Sequence, residues 1–261
     1  MIEFQFVKPS TVADAVVALA ADGAQALSGG QTLTPTMKQR LATPSVLVSL
    51  NGIAELQGVS LWGGVLTIGA ATPHAMVARE AGAYPALAAL AGGIGDPAVR
   101  NRGTIGGSLA NNDPAACYPA AVLASGATVT TNKRTIAADD YFKGMFTTAL
   151  DEGEIITSVA FPVPQMAAYI KFNQPASRFA LTGVFVANGL DGVRVAVTGA
   201  SNNGVFRWHE AEAALTADFS AAAIAGLTAS SRDLIGDLHG TPAYRANLIK
   251  VLTGRAVQAA S

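Results

Sequence analysis

The stretch "LSGGQTLTP" at residues 27–35 decides the fold, together with its counterpart "TIGGSLANNDP" at residues 104–114. Each diglycine is followed by polar residues and then by a predicted short helix, starting near residue 33 in the first case and near residue 114 in the second. Glycine adopts positive φ readily and lets a ligand approach the backbone without a Cβ in the way. Consecutive N–H groups in such a turn form an anion-binding concavity, and a following helix adds its dipole. Two such turns suit a ligand with two linked phosphates.

Four polar side chains at the rims of these turns can donate or accept hydrogen bonds, namely Gln31, Thr32, Ser108 and Asn111. A single diglycine is equally typical of an ordinary turn, because the chain contains 27 glycines. The presence of two diglycines, each between a strand and a helix, strengthens the case for phosphate binding, while an ordinary turn stays the alternative at each position.

The composition is poor in charge for a soluble domain. Of 261 residues, 50% are hydrophobic and 13% are charged, and the net charge is −1, whereas about 25% charged residues are typical. This fits a subunit whose surface is partly covered by partners, although an alanine- and glycine-rich composition would give the same value. The sequence has no Lys/Arg cluster, so it predicts no nucleic-acid partner.

Cys117 is the only cysteine. It cannot form an intramolecular disulfide, and the chain alone cannot hold a cysteine-ligated iron–sulfur cluster. We therefore expect a cytoplasmic protein. The N-terminus carries Glu3 where a signal peptide has basic residues, and the longest uncharged stretch, residues 114–132, contains two prolines. The sequence thus predicts neither a signal peptide nor a transmembrane segment.

Hydrophobic periodicity predicts the elements of the first 165 residues. Residues 1 to about 50 read as a β-α-β-loop-α-β unit, with Ser10 capping the first helix and Gly23 ending it. A hairpin follows around Trp62-Gly63-Gly64, and then two helical pieces separated near Pro85. A loop, the second diglycine, a short helix, a strand ending near residue 131 and a strand–helix–strand segment complete this part.

Pro162 and Pro164 mark a domain boundary. Beyond them the pattern predicts three antiparallel strands with hairpin turns near residues 188–192. Two helices follow, at about residues 208–235 and 242–258. This is an α+β unit with its own apolar faces.

Common catalytic and nucleotide-binding motifs are missing from the sequence. It has no G-x-G-x-x-G after a strand, no P-loop and no G-x-S-x-G. His74, His209 and His239 are widely separated, and we expect them on the surface or at helix caps. We therefore predict no metal site and no catalytic residues in this chain, and infer that a cofactor performs the chemistry.

Four stretches carry a strong resemblance to a known family: "SGGQTLTPTMKQR" (28–40), "DPAVRNRGTIGGSLANNDPAACYPA" (96–120), "GEIITSVAFPVP" (153–164) and "YIKFNQPASRFALTGVFVA" (169–187). They resemble the FAD-binding medium subunit of xanthine-dehydrogenase-like molybdenum hydroxylases, which include carbon monoxide dehydrogenase. The resemblance covers nearly the whole chain, and the pair of diglycines with "VRNRGTIGG" is its most specific part.

The resemblance implies an α+β fold with two domains. A two-subdomain FAD-binding domain of the vanillyl-alcohol-oxidase (PCMH) type would span residues 1–165, with subdomains at about 1–55 and 56–165. A small C-terminal α+β domain, with a three-stranded antiparallel sheet and helices, would span residues 168–261 and close over the first.

The resemblance also implies the cofactor-binding residues. Two segments would hold the diphosphate and ribityl parts of FAD: Leu27, Ser28, Gly29, Gly30, Gln31, Thr32, Leu33 and Thr34 in the first, and Thr104, Ile105, Gly106, Gly107 and Ser108 in the second. Ile94 and Ile156 would pack near the flavin. Lys171 stands where the family has a flavin-contacting lysine, whose charge would stabilise the reduced flavin anion.

Cys117 departs from the family pattern, which often has an acidic FAD-contacting residue there. A thiol is a weak acceptor, so either Asp113 or Asn112 takes over the contact or the contact is lost.

The implied role is electron transfer. A large molybdopterin subunit would oxidise the substrate, and electrons would pass through two 2Fe–2S clusters of a small subunit to FAD in this chain and on to an external acceptor. The resemblance implies a dimer of such heterotrimers. Two alternatives stay open, a stand-alone flavoenzyme of the same fold and a scaffold subunit that has lost FAD.

Overall fold

The first fifty residues build a three-stranded parallel sheet with the strand order β1-β3-β2, in a computed structural model that describes residues 1–260. Ser261, the last residue of the predicted C-terminal domain, lies outside the described residues. The elements are β1 (Gln5–Val7), α1 (Val12–Leu19), β2 (Ala24–Leu27), α2 (Leu33–Lys38) and β3 (Val46–Ser49). The predicted β-α-β-loop-α-β order is confirmed, except that Thr11 rather than Ser10 caps α1.

A second, antiparallel sheet follows, with five strands in the order β4-β5-β10-β6-β7. Its strands and the elements between them are β4 (Val59–Trp62), β5 (Val65–Gly69), α3 (His74–Glu80), α4 (Pro85–Gly92), α5 (Pro97–Arg102), α6 (Ile105–Asn111), α7 (Tyr118–Ala124), β6 (Thr128–Thr131), β7 (Thr135–Ala137), α8 (Ala138–Tyr141), β8 (Phe142–Gly144), β9 (Thr147–Thr148) and β10 (Ile156–Pro162). The predicted hairpin at Trp62 and the helix break before Pro85 are confirmed.

Three details of this region differ from the sequence prediction. Residues 97–102, expected as a loop, form helix α5, because the Asp96 carboxylate accepts a hydrogen bond from the Val99 N–H and caps its start. The second diglycine lies inside helix α6 rather than in a turn. The helix expected from Pro114 begins only at Tyr118.

The C-terminal part forms a four-stranded antiparallel sheet with the order β11-β12-β13-β14. Its elements are β11 (Met166–Asn173), β12 (Ala180–Gly189), β13 (Gly192–Thr198), β14 (Phe206–Arg207), α9 (His209–Ala217) and α10 (Pro242–Ala260). The predicted sheet of three strands therefore gains a short fourth strand. The helix expected over 208–235 ends at Ala217, where Asp218 leaves helical geometry and binds the Ser220 hydroxyl.

Strand β12 is buried on both faces, which explains its nearly continuous apolar sequence. Phe185 and Ala187 join the core that β5, β10 and the helices α3, α4, α6 and α7 build. Val184 and Val186 face the other way, into a core shared with α9 and α10. The C-terminal sheet is thus held between two layers of helices, and α4 and α7 lie between the two antiparallel sheets. No helix within residues 1–260 is both long and apolar enough to cross a membrane.

Candidate FAD site

The two diglycine segments touch each other, although nearly 80 residues separate them in the chain. The hydroxyls of Ser28 and Thr104 are hydrogen-bonded at 2.7 Å. Gly29 packs against the backbone at residues 102–103, where an added Cβ would overlap the Arg102 carbonyl oxygen and lie 2.6 Å from the Gly103 Cα. Because only glycine permits this approach, the sequence itself fixes the contact between the first and second segments.

The first segment presents unused hydrogen-bond donors. The backbone N–H groups of Gly30, Gln31 and Thr32 have no hydrogen-bond acceptor within residues 1–260, and Gly30 has a φ of +69°. Gln31 and Thr32 are exposed. This is the donor pattern of an anion-binding backbone concavity, and it matches the expectation for this segment.

The second segment is built differently from the expected turn. Gly106 donates its N–H to the Ala70 carbonyl at 2.8 Å, and Gly107 donates its N–H to the Thr104 hydroxyl at 3.2 Å. Neither glycine has positive φ. The expectation of a second concavity of free amides is therefore wrong, because helix α6 and the neighbouring strand use these N–H groups.

Close packing explains the first of the two glycines of this helix. A Cβ at Gly106 would lie 2.6 Å from the Ala70 Cβ, so the fold itself requires glycine there. At Gly107 a Cβ would meet only the Thr104 hydroxyl at 3.1 Å and the Ser28 Cβ at 3.8 Å. Gly107 therefore faces the gap between the two segments, where its missing side chain leaves room for a ligand.

The side chains of Ser108 and Asn111 also remain available. Both are half-buried on α6, and neither makes a side-chain hydrogen bond within residues 1–260. With the amides of residues 30–32, they form a donor set of the kind that a diphosphate and a polyhydroxyl chain need. On these observations the residues present fit the diphosphate and ribityl parts of FAD.

Two residues expected in the first segment face a different space. Leu27 and Thr34 line an apolar hollow of about 380 Å³ on the outer side of the N-terminal sheet, together with Met1, Phe4, Phe6, Met37 and Leu47. Ile105 is fully buried in the core and supports α6 from inside. Leu33 is half-buried at the start of α2.

Ile156 is connected to the second segment through the backbone. It begins β10 and is buried. Its neighbour Thr157 accepts a hydrogen bond from the Ala70 N–H, and the Ala70 carbonyl accepts from Gly106. The structure thus places Ile156 beside the diglycine helix.

A second group of expected residues surrounds the end of α4. The Lys171 ammonium donates to the Gly93 carbonyl at 2.7 Å and to the Arg178 carbonyl at 2.9 Å, and it lies 3.7 Å from the Cys117 sulfur. Ile94 follows Gly93 and is buried. Lys171, Cys117 and Ile94 are therefore brought together, as the resemblance implies.

Within residues 1–260, neither substitute for the missing acidic residue is hydrogen-bonded to Lys171. The Asn112 side chain is buried and donates to the carbonyls of Gly144 and Thr147, at 2.8 and 2.9 Å, which fixes the hairpin of β8 and β9. The Asp113 carboxylate accepts from the Ala115 N–H at 2.8 Å. The Asn112 side chain is thus engaged in structural hydrogen bonds, and the choice between a contact from Asp113 and loss of the acidic contact stays open.

His74 connects the two groups, and its predicted position at the surface or as a cap is wrong. Only 5% of its surface is exposed, and its Nδ1 atom has no partner within residues 1–260. The ring packs against Gly103, where a Cβ would lie 2.6 Å from Nε2, and it contacts the Tyr118 ring with centroids 5.3 Å apart. Tyr118 directly follows Cys117 in the chain, so this ring contact links His74 to the group around Lys171.

Tyr169 also belongs to the group around Lys171 and Cys117, and the sequence analysis did not identify it. Its hydroxyl is buried without a hydrogen-bond partner within residues 1–260. Burial, and secondly the Cys117 thiol, raise the pKa of Tyr169 well above its ordinary value. Tyr169 and Lys171 are two residues apart on β11, so strand periodicity alone puts them on one face.

Burial, and secondly the positive charge of Arg100, lower the pKa of His74 to about 4. The unfolded chain takes up a proton near pH 6.5, and the folded chain does so only near pH 4. The stabilising contribution is complete above pH 6.5 and is lost as the pH falls through this window. We expect urea unfolding to show a loss of about 2 to 3 kcal/mol between pH 7 and pH 4.5 that H74Q lacks.

The matched control for this measurement is H239Q, since His239 is exposed. Between pH 7 and pH 4.5, the free energy of unfolding of H239Q should fall by as much as that of the unmodified chain. An H74Q chain with the full pH-dependent loss would contradict a neutral buried His74.

The chain is similar to known proteins along its whole length. Residues 2–164 match the family model described as the FAD binding domain in molybdopterin dehydrogenase. The chain is 34% identical to the nicotine 6-hydroxylase medium subunit of Paenarthrobacter nicotinovorans, over 97% of this chain and 95% of that subunit. It is 37% identical to the carbon monoxide dehydrogenase medium chain of Afipia carboxidovorans, over 72% and 70% of the two chains.

A solved structure is similar along the whole chain. The carbon monoxide dehydrogenase structure from Hydrogenophaga pseudoflava superposes with a TM-score of 0.88 at 32% sequence identity, covering 100% of this chain and 98% of that one. The fold similarity therefore includes the C-terminal sheet and its helices, which lie beyond the residues matched by the family model.

Proposed function

Because the chain belongs to the family of FAD-binding domains of molybdopterin dehydrogenases, we propose that it is the FAD-carrying electron-transfer subunit of a heterotrimeric molybdenum hydroxylase. As a member of this family it is an oxidoreductase subunit that binds FAD. The observation that carries the proposal is the contact between the two diglycine segments, with the free amides of residues 30–32 on one side and Gly107 on the other.

The proposed division of roles follows from the geometry. The amides of Gly30, Gln31 and Thr32 bind the diphosphate, and the Ser108 and Asn111 side chains bind the ribityl hydroxyls. The Ser28–Thr104 hydrogen bond keeps the two segments at a fixed distance. When bound, FAD supplies the ability to accept and release electrons. Ile94, Ile156 and Tyr169 contribute apolar surface that excludes water from the ring end of the site.

The partners belong to the proposal as well. We propose a small subunit with two 2Fe–2S clusters as electron donor and a large molybdopterin subunit that oxidises the substrate, arranged as a dimer of heterotrimers in the cytoplasm. Support comes from the names of the relatives, which describe medium subunits or medium chains. The low fraction of charged residues, 13%, also suits a surface that partners cover.

Two measurements test this function. The purified chain should contain FAD, with the yellow absorption of a bound flavin, and a colourless chain that does not take up added FAD would indicate a scaffold subunit. Affinity purification from the native host should yield two further polypeptides together with molybdenum and iron. Recovery of the chain alone, with FAD but neither metal, would favour a stand-alone flavoenzyme.

The charge of Lys171 gives a prediction of its own. If the ammonium faces the flavin, K171M should lower the midpoint potential of bound FAD by about 30 mV, which corresponds to a tenfold weaker preference for the reduced form. K171R, which keeps the charge, should lower it less. Redox titration of the FAD-loaded chain measures both, and an unshifted potential in K171M would remove this role from Lys171.

A further inference from the structure

Two cations hold three successive carbonyl groups at the end of α4. Lys171 donates to the Gly93 carbonyl at 2.7 Å. The Arg100 guanidinium donates to the carbonyls of Ile94 and Gly95, at 3.0 and 3.1 Å. Gly95 has a φ of +50°, which turns the chain so that these carbonyls can point toward the two cations. Both side chains are therefore fixed around Ile94.

Neither cation is neutralised. Within residues 1–260, no carboxylate forms an ion pair with Lys171 or Arg100. By contrast, a carboxylate is paired with each of four other arginines, Arg134, Arg194, Arg207 and Arg245. The third atom near the Lys171 ammonium is the sulfur of Cys117, at 3.7 Å. A thiol makes a weak contact and carries no formal charge when protonated. The two half-buried cations thus bind the carbonyls on either side of and at Ile94, and neither has a carboxylate partner within residues 1–260.

Two titratable side chains near this pair supply no negative charge at neutral pH. The Tyr169 hydroxyl lies beside Cys117, and its raised pKa keeps it protonated and neutral. His74, which is influenced by the charge of Arg100, is neutral because its pKa is lowered to about 4. Neither Tyr169 nor His74 therefore offsets the charge of Lys171 or Arg100.

We propose that Lys171 and Arg100, neither of which is paired with a carboxylate within residues 1–260, together favour reduced over oxidised FAD, and that the absence of a carboxylate at position 117 leaves their charge without such a partner. The inference rests on the proposed function, in which this chain holds FAD at this site. Two-electron reduction with uptake of one proton leaves the flavin ring with one negative charge, and a nearby uncompensated cation binds that form more tightly. Arg100 lies in the "VRNRGTIGG" stretch, and it is then a charge-supplying residue that the sequence analysis did not single out.

Cys117 offers a direct test because a carboxylate at this position would lie next to the Lys171 ammonium. The FAD-loaded chain is titrated with dithionite in the C117D and C117N variants, which differ in charge but hardly in size. The preference for reduced over oxidised FAD should be about tenfold weaker in C117D than in C117N, which lowers its midpoint potential by about 30 mV. Equal potentials in the two variants would overturn the inference.

Arg100 provides an independent variant pair, should either Cys117 variant fail to hold FAD. R100K keeps the charge, and R100Q keeps hydrogen-bond donors without it. R100Q should shift the potential downward by about 30 mV relative to R100K, the same tenfold change. Equal potentials would again overturn the inference while leaving the proposed function intact, since FAD is bound in both. An unmodified chain that binds no FAD would overturn both proposals.

Discussion

Replacement of Gly107 by alanine should weaken FAD binding about 100-fold, or about 2.7 kcal/mol, while leaving the fold intact. A Cβ at this position points into the gap between the two diglycine segments, 3.8 Å from the Ser28 Cβ. In our proposal this gap holds the diphosphate of FAD. An added methyl group would therefore occupy space that the ligand needs.

The fold gives little reason for glycine at this position. Gly107 lies in helix α6 without positive φ, and glycine is about 1 kcal/mol less favourable than alanine inside a helix. The nearest atom to the new Cβ, the Thr104 hydroxyl, would have to shift slightly from 3.1 Å. We expect the free energy of unfolding of the FAD-free G107A chain to change by less than about 1 kcal/mol.

Fluorescence titration with FAD and urea unfolding of the FAD-free chain measure the two quantities separately. The matched control is G82A, because Gly82 is exposed and a Cβ there would meet nothing within 4 Å. G82A should bind FAD like the unmodified chain. Equal FAD affinity in G107A and G82A would mean that the diphosphate lies elsewhere.

Replacement of Gly29 by alanine should lower the free energy of unfolding by about 2 to 3 kcal/mol. The new Cβ would overlap the Arg102 carbonyl oxygen and lie 2.6 Å from the Gly103 Cα. These are backbone atoms, which cannot rotate away as a side chain can. The first diglycine segment must then move away from the second. Because the two segments hold FAD together in our proposal, FAD affinity should fall as well.

Urea unfolding tests this prediction, with G52A as the control. Gly52 is exposed in the turn after β3, and a Cβ there would meet nothing within 4 Å, so G52A should change stability by no more than about 0.5 kcal/mol. A G29A chain as stable as G52A would contradict the close approach of the two segments.

Local patterns were sufficient for much of the fold. The alternation in β1 and the amphipathic pattern of α1 predict the order of the N-terminal elements correctly, because each signal acts within a few residues. The predicted stop at Gly23 is three residues too late, since α1 ends at Leu19 and Gly23 lies in the turn before β2. The Trp62-Gly63-Gly64 hairpin was found for the same reason. The end of α9 was missed, because the alanine-rich residues after Asp218 have high helix propensity. The hydrogen bond between the Ser220 hydroxyl and the Asp218 carboxylate opposes a continuous helix there, and the sequence pattern does not reveal it.

The errors within the site come from contacts between distant parts of the chain. Gly106 is needed because Ala70 packs on it, and His74 is buried because Gly103 leaves room for its ring. No local pattern reveals either contact. Tyr169 could have been found, because it shares a strand face with Lys171. The isolated Arg100 could not, since the missing carboxylate is visible only in three dimensions.

The most direct test of the central claim is a crystal structure of the chain loaded with FAD. We predict that the diphosphate lies between the two diglycine segments, within hydrogen-bonding distance of the N–H groups of Gly30, Gln31 and Thr32 and in van der Waals contact with the Gly107 Cα. A diphosphate bound at any other place on the chain, with these three N–H groups still unpaired, would contradict the account.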